Sequence, residues 1–396
     1  MSLLAAGPEL PPGVLPVPRA SAPAQGAQQV EGAAAVAAVL PEVEQLAAAL
    51  GQPLTARLPW WRARLSVQPA AAPWAVVLRD AGGRPRAAAV LVDEPSPTAP
   101  GACRTALASG GGGYLAGVAA ASLPEAAELG RALAGGGGGG GRGGGGVGGR
   151  GAAAPPPPPP VPPARPPAAA EVGRARAAGA RARGTRLELE DLPDEPATRA
   201  LAAGAGAAVH ALDPVPVVRR PTAGDPVELL SHGTRKTLRK SRNRLATDGL
   251  EARVGFTSDP ADLEALLPHL ETTYRDRDVA HGLPCALDTP AGRAGWLARA
   301  RELSAAGALE VATLHLDGEL AAYVLGVRDG DGYGVLEGRF STRFARYAPG
   351  RLLEFGVLDR ALRAEGVRFL DWMTGVAPET LLAADASRAR VAVRLP

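Results

Sequence analysis

Residues able to do chemistry gather in the second half of this chain, in three groups. The first is Pro349-Gly350-Arg351, which opens a stretch with Leu352, Phe355, Leu358 and Leu362 at helical spacing. A glycine at a helix start lets the backbone from Pro349 to Leu352 approach a pyrophosphate, and the helix dipole favours the anion. Arg346 and Arg351 can add charge-assisted contacts. Alone, a Pro-Gly step is only a tight turn; its place after a run of strands is what favours the anion site. The second group lies between Ser231 and Arg244, where Arg235, Lys236, Arg239, Lys240, Arg242 and Arg244 occur with no acid among them. Such a face suits nucleic acid or a nucleotide-linked substrate, or is simply solvated. The third comprises Glu337, Asp371 and His281. Strict strand alternation puts Glu337, Arg339 and Val335 on one face, opposite Leu336 and Phe340. Asp371 ends a short strand beside Trp372, and His281 precedes a Gly-Leu-Pro loop. The competing readings are an edge carboxylate, a turn cap and a surface histidine.

The elements that must position these residues follow from the pattern. Leu309–Leu316 and Leu320–Val327 flank Asp317-Gly318, the strongest short hairpin signal, and Tyr333–Phe340 continues the meander after Asp329–Gly332. A helix follows the Pro-Gly turn, Gly366 stops it, and Val367–Trp372 is a strand. Earlier, Trp74–Arg79 and Arg86–Val92 form a hairpin around Asp80–Gly83 that repeats the pattern of Val311–Val327, pointing to a duplicated domain. Residues 32–50 read as one amphipathic helix, interrupted or restarted at Pro41. Trp60-Trp61 reads as a core anchor in preference to a stacking platform. Gly110–Gly113 is a turn and not a phosphate loop, because no helix opens on it and no Lys-Ser/Thr follows. Helices are expected over 123–134, 194–203, 228–245, 262–278 and 291–305, and strands over 186–193, 207–212 and 250–256.

Composition sets the frame. The 396 residues include 51 Gly and 39 Pro but only 5 each of Phe, Tyr and Trp, and the net charge of +3 does not by itself imply nucleic acid. Cys103 and Cys285 make no metal or disulfide spacing, which fits a reducing cytoplasm and no metal. Prolines at 8, 11, 12, 16, 18 and 23 break any signal-peptide core, and no apolar run is long enough for a membrane span, so a soluble, cytoplasmic chain is expected. Gly135–Gly149 and Pro155–Pro167 read as a floppy coil and a stiff rod within one insertion. The proline run suits an SH3-like partner or a plain spacer.

Three antiparallel strands, a glycine-opened helix and a returning strand resemble the core of the GNAT acyltransferases. The second half is similar to the BioF2-like acetyltransferase domain, and to the Fem peptidoglycan-bridge ligases with their two GNAT lobes. The matching pieces are Arg235–Gly249, Leu316–Glu319, Tyr347–Leu353, and Gly366–Asp371 with Gly375. Two family features differ: Ser341, not an acid, follows Phe340, and Gly375–Leu382 lacks the aromatic-Lys ending. The implied fold is α+β, two tandem GNAT-like lobes, each a mainly antiparallel sheet flanked by helices. Residues 1–31 would be a disordered tail, 32–215 a degenerate first lobe with a disordered insertion at 135–184, and 216–396 the acyl-CoA-binding lobe.

The resemblance implies acyl transfer from acetyl-CoA or another acyl-CoA to an amine or hydroxyl, without metal. Glu337 and Asp371 are then the catalytic candidates, Arg346 and Pro349–Leu352 the cofactor cradle, and His281, Arg339 and Trp372 the acceptor side. The acceptor would be a small molecule or a cell-wall or polysaccharide precursor. Alternatives are a Fem-like transferase using aminoacyl-tRNA and a non-catalytic nucleic-acid or partner-binding protein.

Overall fold

The computed structural model describes residues 26–67, 73–95, 103–109, 116–135, 186–221, 225–373 and 381–395. The glycine and proline runs, Gly110–Gly113 and most of Gly375–Leu382 lie outside them.

The first half contains β1 (Ala27–Glu31), α1 (Ala33–Ala49), α2 (Leu58–Val67), β2 (Pro73–Arg79), β3 (Pro85–Pro95), β4 (Cys103–Leu107) and the short β5 (Ala119–Ala120). It continues with α3 (Leu123–Gly135), β6 (Arg186–Pro193), α4 (Pro196–Ala205) and β7 (Ala208–Arg219). The second half contains α5 (His232–Thr247), β8 (Ala252–Thr257), α6 (Pro260–Ala280), α7 (Pro290–Ala305), β9 (Leu309–Leu316) and β10 (Glu319–Asp329). After these come β11 (Gly332–Phe340), α8 (Pro349–Arg363), β12 (Phe369–Asp371) and β13 (Ala386–Arg394).

The strands form a single 13-stranded sheet in the order β1-β2-β3-β4-β6-β13-β7-β12-β11-β10-β9-β8, with β5 on β3. Inward from either edge the pattern is the same: three antiparallel pairings, then one parallel pair, β4–β6 on one side and β11–β12 on the other. Parallel neighbours need a crossover, and α3 and α8 lie in the corresponding connections. The hairpins that look alike in sequence, β2–β3 and β9–β10, therefore occupy equivalent places.

The two halves exchange their last strands. β7, from the first half, pairs with β12, while β13, from the second, pairs with β6, and β7 and β13 meet in the middle. The cores follow: Val218 packs among the second half's α5–α8 residues, and Val391 and Val393 among the first half's α3–α4 residues. Trp61 anchors α2 on its own sheet, as the sequence suggests, whereas Trp60 is buried against α6 and α7 of the other lobe.

Several expectations need correction. Ala27–Glu31 is not part of a disordered tail; it pairs with β2 as an edge strand, and Val30 is buried. Pro41 does not interrupt α1, which runs through it with Pro41 on the exposed side. β13 was not foreseen, and β7 is longer than expected, extending to Arg219. Among the described residues no helix is long and apolar enough to cross a membrane.

Candidate functional site

β11 organises the site. Its first residues pair in parallel with β12, Gly332 with Phe369, Tyr333 with Leu370 and Gly334 with Asp371. There β12 ends, and the Trp372 N–H turns away to the Pro216 carbonyl of β7 at 3.1 Å. β11 runs on to Phe340, so beyond Gly334 its edge on that side has no strand partner among the described residues. A hypothetical Cβ on Gly334 would lie 2.3 Å from Met373 Cε, so the Met373 side chain lies directly over β11 at the point of parting.

The opening leads to the start of α8. Ala348, in the left-handed region at φ 49°, precedes Pro349, and no side chain caps this helix end. The first N–H groups of a helix have no intrahelical partner, so those of Gly350 and Arg351 are available to an anion. A Cβ at Gly350 would come within 3.3 Å of Phe340 Cδ1. Arg346 pairs with Asp248 and lies over the Tyr347 ring at 4.7 Å, and the Tyr347 hydroxyl donates to Asp248 at 2.7 Å. Arg351 is 3.9 Å from Glu354, and Leu352 packs on the core beneath. α5 flanks this end: Arg244 donates to the Arg346 carbonyl at 2.8 Å.

Strict alternation fails in β11. A bulge between the Leu325–Glu337 and Gly326–Val335 pairs makes Leu336 the extra residue. Leu336 and Glu337 therefore share the α6–α7 side, while Val335 packs on the α5–α8 side with Phe340. The bulge turns Glu337 into a buried pocket, where it is 8% exposed. It accepts from the Tyr323 hydroxyl at 2.6 Å and from Trp296 Nε1 at 3.2 and 3.3 Å, with Arg299 at 3.8 Å. Burial and the Glu337 charge hold the Tyr323 phenol well above its ordinary range. Arg339 stacks on Tyr274 at 4.5 Å and reaches Asp278 at 3.9 Å. Burial, then the Glu337 charge, push the Tyr274 phenol upward as well.

A cavity of about 40 Å³ lies behind the point of parting, between the lobes, lined by Leu54, Trp60, Gly334, Leu336, Asp371 and Met373 among others. Asp371 accepts from the Met373 N–H at 2.7 Å and from Arg388 of β13 at 3.0 Å. Burial pushes its carboxyl up and the Arg388 charge pulls it back. Asp329 lies nearby and accepts from the Leu54 N–H at 2.7 Å.

The expected site residues thus divide. Arg346, Pro349, Gly350, Arg351 and Leu352 share the α8 end, and Glu337 and Arg339 share the pocket under α6 and α7. Asp371 is 2% exposed and faces the interlobe cavity. Trp372, expected beside substrate, is instead a core residue whose indole donates to the Ala383 carbonyl at 2.7 Å. His281 stands exposed at the end of α6, 2.7 Å from the Arg277 carbonyl. Tyr323, Trp296, Tyr274 and Asp278 were missed; polar-tipped aromatics in an aromatic-poor chain were the available signal.

Residues 232–379 match a family model described as an acetyltransferase (GNAT) domain. No curated protein matches the chain. Among solved structures, a tandem GNAT protein from the clavulanic acid biosynthesis pathway is 17% identical, with 93% of this chain and 98% of that one covered and a TM-score of 0.44. FemX is 10% identical, with 85% and 92% covered and a TM-score of 0.49. The C-terminal domain (DUF2156) of a putative lysylphosphatidylglycerol synthetase from Agrobacterium fabrum is 16% identical, with 57% and 72% covered and a TM-score of 0.36. The family model spans α5 to β12, so the similarity to the acetyltransferase (GNAT) domain lies in the second lobe of this chain.

Proposed function

We propose that this protein transfers an acyl group from acyl-coenzyme A, acetyl-CoA first among them, to an amine or hydroxyl by direct attack. One observation carries the reading: β11 and β12 part after Gly334, and the gap leads to an uncapped helix end flanked by Arg346 and Arg351. An extended donor with amide groups finds hydrogen-bond partners along the open edge of β11, and a pyrophosphate suits the end of α8.

In the proposed step the acceptor nitrogen or oxygen attacks the thioester carbonyl. The new acyl bond forms, the acyl–sulfur bond breaks, and the acceptor's proton passes to Glu337 while the released thiolate takes a proton from water. Tyr323 and Trp296 fix the Glu337 carboxylate through the bonds they donate to it. Asp371, tied to Arg388, shapes the floor of the cleft. The acceptor we favour is a small molecule or a cell-wall or polysaccharide precursor. A reducing compartment such as the cytoplasm suits the buried free thiol of Cys285.

Calorimetric titration of the purified chain with acetyl-CoA tests the reading. Micromolar binding that disappears in Gly350→Glu is expected. No binding by the native chain, or equal binding by the variant, sinks it.

A further inference from the structure

Outside the parting strands, unpaired positive charge gathers in an open groove of about 640 Å³ between α5 and the loop before α8. Lys236, Arg239, Lys240, Asn243, Arg244 and Arg346 line it. The α5 members recur every three or four residues and so form one helical stripe. The sequence holds only two lysines, Lys236 and Lys240, and both are in this stripe.

These cations differ from others in the molecule. Arg57, Arg79, Arg104 and Arg390 are each tied to a carboxylate. Lys236, Arg239 and Lys240 have no hydrogen bond or ion pair among the described residues, and all three are exposed. Three unpaired cations on successive turns repel one another, and a bound anion relieves that repulsion. The acid at the groove's end, Asp248, is already taken by Arg346 and Tyr347.

Arg346 is both a wall of the groove and part of the turn leading to Pro349. A ligand whose pyrophosphate rests on α8 therefore has the groove as its next neighbour. The three unpaired cations, on successive turns of one helix, suit a single phosphate group. The lysines are compact point charges suited to a terminal phosphate monoester. We infer that the α5 groove binds the 3′-phosphate of the acyl donor's adenosine, making this phosphate a determinant of donor selection. The inference rests on the acyl-CoA reading above.

The test compares acetyl-CoA with 3′-dephospho-acetyl-CoA by calorimetry, on the native chain and on the Lys236→Ala/Lys240→Ala variant. Both lysines are exposed, so the variant keeps the fold, which its thermal melt verifies. The native chain is expected to bind the dephospho donor about tenfold more weakly, and the variant to bind both donors alike at the weaker level. If the native chain binds both equally, the groove assignment is overturned while the acyl-CoA reading stands. If it binds neither, the acyl-CoA reading itself has failed. If the variant keeps the native donor ratio but loses salt-sensitive retention of tRNA, the groove holds nucleic acid and the inference is wrong.

Discussion

The two lobes begin the helix between their parallel strands with opposite charge in the same place. In the first lobe α3 starts Leu123-Pro124-Glu125; in the second α8 starts Pro349-Gly350-Arg351. Ser122 caps α3 by accepting from the Glu125 N–H at 3.4 Å, its hydroxyl donates to the Glu125 carboxylate at 2.9 Å, and Glu125 pairs with Arg86 at 3.0 Å. The first lobe thus fills its own helix end with a carboxylate, where the second leaves bare N–H groups beside arginines. The crevice differs too. In the first lobe the Ala116 N–H bonds the Asp191 carbonyl of β6 at 2.8 Å, so the chain itself occupies part of the space beside the parallel pair. α4 then packs on α3 closely enough that a Cβ on Gly130 would stand 2.0 Å from the Leu201 carbonyl. One strand order therefore supports both a sealed lobe and an open one; the residues at the third helical position and the chain before the helix decide which.

Substitutions that exchange these properties break or sharpen the contrast. The largest expected effect is on turnover. Glu337→Gln should lower kcat by about 10²–10⁴-fold with acetyl-CoA affinity unchanged, whereas Glu125→Gln in the sealed lobe should leave kcat as it was. Equal losses in both would mean that the lobes are not functionally divided. Next comes stability. Arg388→Ala leaves Asp371, 3% exposed at its side chain, buried without its cation, at a cost of about 3–5 kcal/mol by urea unfolding. Because Arg388 lies on the exchanged strand, the two lobes should unfold in one transition; separate transitions would show that the strand exchange does not couple them. Third, Arg351→Glu gives α8 the acid that α3 has. Acetyl-CoA affinity should fall at least about tenfold with stability within about 1 kcal/mol of the native chain. Retained affinity would show that charge at the third position does not distinguish the lobes.

Much of the frame was legible in the sequence because its signals are local. Asp317-Gly318 and Asp80–Gly83 mark hairpins wherever they occur, and the Pro-Gly turn marks the start of α8. What was hidden depends on distant partners. Ala386–Arg394 alternates arginine with small apolar residues and becomes a strand only because β6 and β7 wait on either side, nearly two hundred residues earlier for β6. Nothing in Tyr333–Phe340 announces the bulge, since its origin is the register with β10, so the facing of Glu337 was partly wrong even where its importance was suspected. The basic face of α5 was plain, but the groove also needs Arg346, which joins it through packing of the loop on α5.

The smallest effect concerns a second acid on the open lobe's helix. Glu354 lies one turn after Gly350, where a third of its side-chain surface remains open, yet burial pushes its carboxyl up to about 7 from an ordinary 4.5 despite the Arg351 charge nearby. A carboxyl raised in the folded state holds its proton more tightly there than in the unfolded chain. Its contribution to stability is therefore full below pH 4.5 and declines as pH climbs to about 7, with no further change above. Glu354→Gln removes the decline. The variant should melt with the native chain at pH 4.5 and about one or two degrees above it at pH 8, the partial exposure keeping the gain small. A melting-temperature gap that is the same at both pH values would show that the neutral side chain acts by packing or helix propensity. The open helix end would then carry no titrating acid of its own, and its contrast with the self-capped end of α3 would rest on Gly350 and the arginines alone.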